Sequence, residues 1–224
     1  MMIKKAINTA KSGRFFLSQQ PHKKITQVWV VCHGYGQLAN YFLKWFEPVF
    51  NDSTLIIAPE GLHRFYLSGF SGKVGASWMT KEDRETDIID YIIFMDNVIN
   101  SIKGEINKDY HLHALGFSQG VATITRWICN TNHQIDSISL WAGEMPKDLN
   151  YKSCKSKLNA LNPKLFFGEN DQFYSKLAVK KELSFLKENQ LSFSYIEFDG
   201  KHKIEPEPLQ ILTESIHSSK KTKN

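Results

Sequence analysis

Cysteine is scarce in this chain: only Cys32, Cys129 and Cys154 occur, and none share a C-x-x-C spacing. Three thiols cannot all pair with one another, so a disulfide framework is excluded and the pattern reads as free thiols in a reducing compartment. Long apolar runs are missing too. Stretches such as Val28 to Cys32 fall far short of the roughly 20 residues that a helical span requires, so no stable membrane anchoring is expected. The opening MMIKKAINTAKSG has no apolar h-region and no small-residue cleavage site, which argues against a secretory signal and predicts a cytoplasmic protein. No strong excess of one charge exists either. Twenty-eight basic residues face 23 acidic ones for a net charge of +5, part of it in the closing SSKKTKN. Without a basic face interleaved with aromatics, or any nucleic-acid motif, nucleic acid is not an expected partner. Internal repeats are lacking, and so is any break in composition strong enough to divide the chain.

What is present fits a single α/β domain over residues 1–224, long enough to bury a core without a structural metal. Residues 1–12 and 218–224 read as frayed termini. Runs rich in Val, Ile and Phe predict strands at Arg14–Gln19, Ile25–Cys32, Thr54–Ala58, Tyr110–Gly116, Ser137–Ala142, Lys164–Phe167 and Phe193–Phe198. They lack clean alternation, as parallel strands buried on both faces do. Helical spacing predicts Asn40–Phe50, Asp83–Glu105, Gln119–Asn130, Phe173–Asn189 and Pro208–His217. In the second of these, Ile88, Ile92, Met95, Ile99 and Ile102 recur at helical intervals. Thr80 and Asp83 suggest a capping-box-like start. Met145–Ala160 is polar and lysine-rich and reads as a surface excursion. The repeated strand–helix–strand order predicts a doubly wound, right-handed, mostly parallel sheet of about seven strands flanked by helices.

The chemistry concentrates in HLHALGFSQGVATITRW. Gly116 to Gly120 reads G-x-S-x-G between a predicted strand and a predicted helix, where a sharp turn would lift Ser118 Oγ above the sheet and the helix N-terminus would add positive potential. A serine hydroxyl is a weak nucleophile at neutral pH, so a base must take its proton and an acid must orient the base. Asp171 follows a strand in KLFFGENDQF, and His202 follows the last predicted strand on a turn opened by Gly200. Serine, acid and histidine thus follow one another in the chain, each on a loop after a predicted strand. Two other carboxylates compete for the acid's place: Glu169 on the same loop and Glu144 after the preceding strand. Asp171 is favoured. His217 falls in the terminal helix. An oxyanion needs pre-aimed amides: the residue after the nucleophile, Gln119, supplies one, and Tyr35 in the His33-Gly34-Tyr35-Gly36 loop supplies the other. His33 is assigned to bracing that loop, not to proton transfer.

These residues resemble the phospholipase/carboxylesterase family of α/β-hydrolases, which includes acyl-protein thioesterases. The resemblance rests on HGYG after a strand, GFSQG, the G-x-x-D run from Gly168 to Asp171 and the G-x-H-x-I run from Gly200 to Ile204, and it spans Val28 to Ile204. It implies an α/β-hydrolase fold, Ser118, Asp171 and His202 as the triad, Tyr35 and Gln119 N–H groups as the oxyanion hole, and no cofactor. Val121 stands where the family often has a second glycine, and Gln37 where it often has an acid. The segment from Gly61 to Met79 departs furthest. Its glycines and aromatics suggest a lid or pocket wall, with Phe65, Tyr66, Phe70 and Trp78 as candidate lining residues.

His111 and His113 lie on one strand face but lack a third ligand, so they are read as packed strand residues and no metal is expected. Cys32 reads as strand packing. Three functions stay in view: a carboxylesterase acting on a small-molecule ester as monomer or homodimer, a thioesterase or lysophospholipase with the same triad, and a catalytically silent binding protein.

Overall fold

Alternate residues of the central strands enter two separate cores, and that division builds the molecule. The computed structural model describes residues 2–7 and 9–221. Its strands are β1 (Phe15–Leu17), β2 (Gln27–Cys32), β3 (Thr54–Pro59), β4 (His63–Tyr66), β5 (Val74–Ser77), β6 (His111–Phe117), β7 (Ser137–Trp141), β8 (Lys164–Gly168) and β9 (Ser194–Phe198). The helices are α1 (Ala39–Leu43), α2 (Arg84–Ile102), α3 (Gln119–Asn130), α4 (Tyr151–Leu161), α5 (Lys176–Glu188) and α6 (Pro206–Lys221). A seven-stranded sheet runs β1-β3-β2-β6-β7-β8-β9. β1 is antiparallel to β3, and the remaining pairs are parallel. This is an α/β-hydrolase-like fold.

On one face Val28, Val30 and Cys32 of β2 join Leu112 and Ala114 of β6 under α2, α3, α4 and α5. On the other, Trp29 and Val31 join Leu115 and Phe117 under α1 and α6. Every residue of β2 and β3 is buried, which explains why neither segment alternates in sequence. Burying a Val, Leu or Phe side chain contributes roughly 1.5–3 kcal/mol each, so these two layers carry most of the folding free energy.

Several expectations need correction. The helix expected over Asn40–Phe50 stops at Leu43 and continues as a 3₁₀ segment, Lys44–Val49, which contains Pro48; proline has no N–H to extend an α-helix. Met145–Ala160 is not merely a surface excursion, because α4 occupies most of it. That helix buries only Tyr151, Cys154 and Leu158, too narrow a stripe to stand out among its lysines. Thr80 and Asp83 form no capping box. Asp83 is left-handed (φ 52°) and makes no side-chain cap bond, while Thr80 N–H donates to the carboxylate of Asp87 at 3.1 Å. Of the N-terminal stretch expected to be frayed, residues 2–7 and 9–12 form no regular structure, and residues 1 and 8 lie outside the described residues. α6 runs through Lys221, so the frayed end expected at 218–224 holds helix up to that residue and otherwise, at 222–224, lies outside the described residues. His217 is in α6, its side chain outside the described set.

Candidate active site

Four strands that neighbour one another through β7 end at the same edge of the sheet, and the chemically equipped loops follow those ends. β2 delivers His33, β6 delivers Ser118, β8 leads to Asp171 and β9 to His202. Open parallel sheets bind ligands at this carboxyl edge.

Ser118 occupies the turn between β6 and α3 with φ 53° and ψ −118°, a backbone region that side chains rarely adopt and that costs about 1–3 kcal/mol. Two glycines make the turn possible. A Cβ on Gly120 would meet the Cys32 carbonyl oxygen at 2.1 Å, and one on Gly116 would meet the Gly120 carbonyl oxygen at 2.4 Å. Ser118 is the N-cap of α3, yet its hydroxyl makes no capping bond. Ser175, with ordinary extended dihedrals at the start of α5, does cap, accepting from Ala178 N–H. The unusual backbone at 118 therefore leaves Oγ unspent.

Asp171 is buried. One carboxylate oxygen accepts from the N–H groups of Phe173 (2.8 Å) and Tyr174 (2.9 Å). The other meets His202 Nδ1 at 2.6 Å. With Asp171 accepting, Nδ1 carries the proton and Nε2 is left as the basic nitrogen. The imidazole packs against Phe117, the residue before Ser118, at 4.8 Å between ring centroids, and edge-on to Phe173 at 5.0 Å. Among the hydrogen bonds of the described residues there is none between Ser118 Oγ and His202; apo sites often make that contact only with substrate bound. Glu169 is exposed, and Glu144 is exposed opposite Lys147 at 3.9 Å. Neither rival carboxylate contacts His202.

The loop after β2 abuts the serine: a Cβ on Gly34 would lie 3.1 Å from Ser118 Cβ. Gly34 N–H donates to Gln37 Oε1 (2.7 Å), Gly36 N–H to the Ala76 carbonyl (2.8 Å) and Gln37 N–H to the Gly34 carbonyl (3.3 Å). Of these successive amides, only Tyr35 N–H has no acceptor among the described residues. Among the described residues Gln119 N–H, in the first turn of α3, likewise makes no backbone bond outside the helix, and it lies too early in the helix for an intrahelical one. His33 Nε2 accepts from Gly61 N–H (2.9 Å), so Nδ1 carries the hydrogen given to the Gly34 carbonyl (2.7 Å). Burial brings this imidazole down to about 4, keeping it neutral as a brace.

The segment from Gly61 to Met79 is not one long loop. It folds into the β4–β5 hairpin, pairing His63 with Ser77 through Tyr66 with Val74. Phe65 packs against Tyr35 with the rings tilted by 32° and 5.2 Å between centroids, and Tyr66 and Phe70 are exposed. Trp78 is turned inward. It is completely buried, and its indole N–H donates to the His33 carbonyl at 2.9 Å. A cavity of about 590 Å³ lies between β9 and α6, lined by residues such as Phe166, Ile196, Phe198 and Ile211; Ser118, Asp171 and His202 do not line it, so geometry at the carboxyl edge, not cavity size, marks the candidate site.

His113 is held by Ser137 Oγ (2.8 Å) and Gln27 Oε1 (2.9 Å), and His111 faces Asp136 at 3.3 Å. Among the described residues no cluster of three or more His, Cys, Asp or Glu side chains could hold a metal ion, and no helix is long and apolar enough to cross a membrane. Sequence reasoning missed Phe173 against His202 and the side-chain work of Gln119 and Ser77. Only the adjacency of Phe173 to Asp171 hinted at the first, and nothing local signalled the second.

The family described as phospholipase/carboxylesterase matches residues 16–220. No curated protein sequence matches the chain. Among solved structures, acyl-protein thioesterase 2 from Zea mays is 17% identical, with 92% of this chain and 99% of that one covered at a TM-score of 0.66. A phospholipase/carboxylesterase from Dyadobacter fermentans is 16% identical over 93% and 98% of the two chains, TM-score 0.63. The carboxylesterase of Bacillus cereus is 13% identical over 92% and 94%, TM-score 0.62. At such identities the likeness is one of fold.

Proposed function

The chain belongs to the phospholipase/carboxylesterase family of hydrolases, and from that premise we propose that it cleaves carboxylic esters through an acyl-enzyme on Ser118. One observation carries the reading. His202 Nδ1 is fixed by Asp171 at 2.6 Å, while the neighbouring loop presents a strained serine whose hydroxyl is not consumed by capping. In the proposed reaction His202 Nε2 takes the Ser118 proton as Oγ attacks the ester carbonyl carbon. The carbonyl π-bond opens to an oxyanion, which accepts from Tyr35 and Gln119 N–H. Collapse re-forms the carbonyl and expels the alcohol, which leaves with the proton from His202. Water then repeats the sequence on the acyl-enzyme, with His202 as base and then acid, and releases the carboxylic acid. Asp171 keeps the imidazole in the required tautomer and stabilises its charged form. Every group this chemistry uses is supplied by the chain.

Thioester cleavage would use the same groups, and Zea mays acyl-protein thioesterase 2 shares the fold. A fluorophosphonate probe, followed by p-nitrophenyl esters of graded chain length and acyl-thioesters, separates the two substrates. The expected result is labelling at Ser118, ester turnover, and a fall of at least about a thousandfold for Ser118→Ala. Unlabelled protein, or turnover that survives the substitution, would refute the assignment; a dominant thioester rate would move it to the thioesterase.

A further inference from the structure

The two oxyanion donors lie on different loops, one after β2 and one after β6, yet both are tied to the same short stretch of chain. We infer that residues 76–79, at the end of the β4–β5 hairpin, act as a bracket that sets the spacing between Tyr35 N–H and Gln119 N–H. This inference rests on the serine-hydrolase reading and assigns the hairpin a task other than closing over substrate.

The first half of the bracket grips the loop on both sides of Tyr35. Ahead of it, the His33 carbonyl accepts from the Trp78 indole at 2.9 Å. Behind it, Gly36 N–H donates to the Ala76 carbonyl at 2.8 Å, and Ala76 N–H donates to the Gln37 carbonyl at 3.1 Å. Gly75 allows this approach, since a Cβ there would meet the Gly36 carbonyl oxygen at 2.4 Å. His33 adds a fourth hold. Its Nδ1–H donates to the Gly34 carbonyl, which belongs to the same rigid peptide unit as Tyr35 N–H. Because the two groups of a trans peptide point in opposite directions, fixing one aims the other.

The second half grips Gln119 by its side chain. Gln119 Oε1 accepts from Trp78 N–H at 3.2 Å, and Nε2 donates to Ser77 Oγ at 3.0 Å and to the Met79 carbonyl at 3.3 Å. Ser77 is buried, and its hydroxyl also lies 2.8 Å from the Met79 carbonyl. A glutamine side chain at the start of a helix ordinarily extends into water. Here its carboxamide is used completely by three consecutive residues, the last of β5 and the two that follow it, in the same stretch of chain that also holds the Tyr35 loop. Gln119 would therefore serve twice, with its backbone N–H as oxyanion donor and its side chain as a positioning group.

An oxyanion hole matters only when charge develops on the substrate oxygen, so loosening the bracket should affect turnover far more than substrate binding. The test uses the full chain and two variants, Gln119→Ala and Ser77→Ala, each checked by thermal melting. The steady-state split is measured together with inhibition by phenylboronic acid, whose boron bonds to Ser118 Oγ and gives a tetrahedral adduct with oxygen in the hole. Gln119→Ala should lower kcat roughly 10- to 100-fold, keep KM within about threefold, and weaken phenylboronic acid in step with kcat/KM. The pH profile of kcat/KM should keep its midpoint. Ser77→Ala removes one hydroxyl and should give a smaller effect of the same kind, which supplies the readout if the first variant does not fold. Unchanged kcat and boronate affinity in folded variants, or a loss confined to KM, overturns the bracket while fluorophosphonate labelling still upholds the hydrolase. Failure of the unsubstituted protein to label overturns both.

Discussion

At the scale of single residues, Ser118 and Asp171 show how backbone geometry decides what a side chain is free to do. Asp171 spends one oxygen on two amides of its own turn and keeps the other for His202, so the acid cannot swing away from the ring it orients. Ser118 is held at φ 53° and ψ −118°, conditions that suit glycine. Ser118→Gly is therefore expected to raise stability by about 1 kcal/mol, a rise in Tm of roughly 2–4 °C for a chain of this size, while abolishing ester turnover. Calorimetry on both proteins checks it, and a lower Tm for the variant would contradict the strain. The residues of this site were legible because the G-x-S-x-G run, the acid and the histidine each directly follow an apolar run that becomes a strand. Phe173 and the Gln119 carboxamide were not legible, since their partners come from 29 and about 40 positions away in the chain and no local pattern encodes a distant contact.

At the scale of elements, the fit of α3 onto β2 depends on a missing side chain. A Cβ at position 120 would press on the Cys32 carbonyl at 2.1 Å, and backbone cannot step aside as a flexible side chain can. Gly120→Ala should cost about 3 kcal/mol, read as a lower urea midpoint with an unchanged m-value. The hairpin gives a second expectation. Phe65 lies against Tyr35, beside the proposed acyl site, whereas Phe70 at the tip is almost wholly exposed (98%). Phe65→Ala should shift the acyl-chain-length profile and Phe70→Ala should leave it unaltered; the same ester series reads both. The main strands and α3 could be predicted because buried apolar runs and a glycine-bounded helix carry strong local signals. The hairpin escaped notice because its strands are only four residues long and the connection between them, 67–73, holds Gly69 and Gly72 and reads as loop. α4 escaped because most of its surface faces water.

At the scale of the whole molecule, one sheet divides two cores, and the buried His33 at its carboxyl edge gives the fold a pH signature. In the unfolded chain its imidazole titrates at 6.5, and in the fold burial lowers it to about 4. The folded state thus disfavours the protonated form. Stability from this group is fully present above pH 6.5 and declines as pH falls towards 4, by an amount of order 3 kcal/mol. Urea unfolding between those limits should show the decline, and His33→Asn, although less stable overall, should show a shallower one; equal slopes would exclude His33 as the source. The doubly wound order itself was legible from the alternation of strands and helices. The division of labour between faces was not, because it depends on which residue of each pair points up.

The strained turn at Ser118 has a further consequence for how such a protein persists over generations. Variation sorted only by endurance to heat would favour chains that relax this position, and those chains would be inert. Retaining a hydroxyl there requires selection on what the molecule does, renewed in every lineage, with the surplus stability of the two buried layers absorbing the burden.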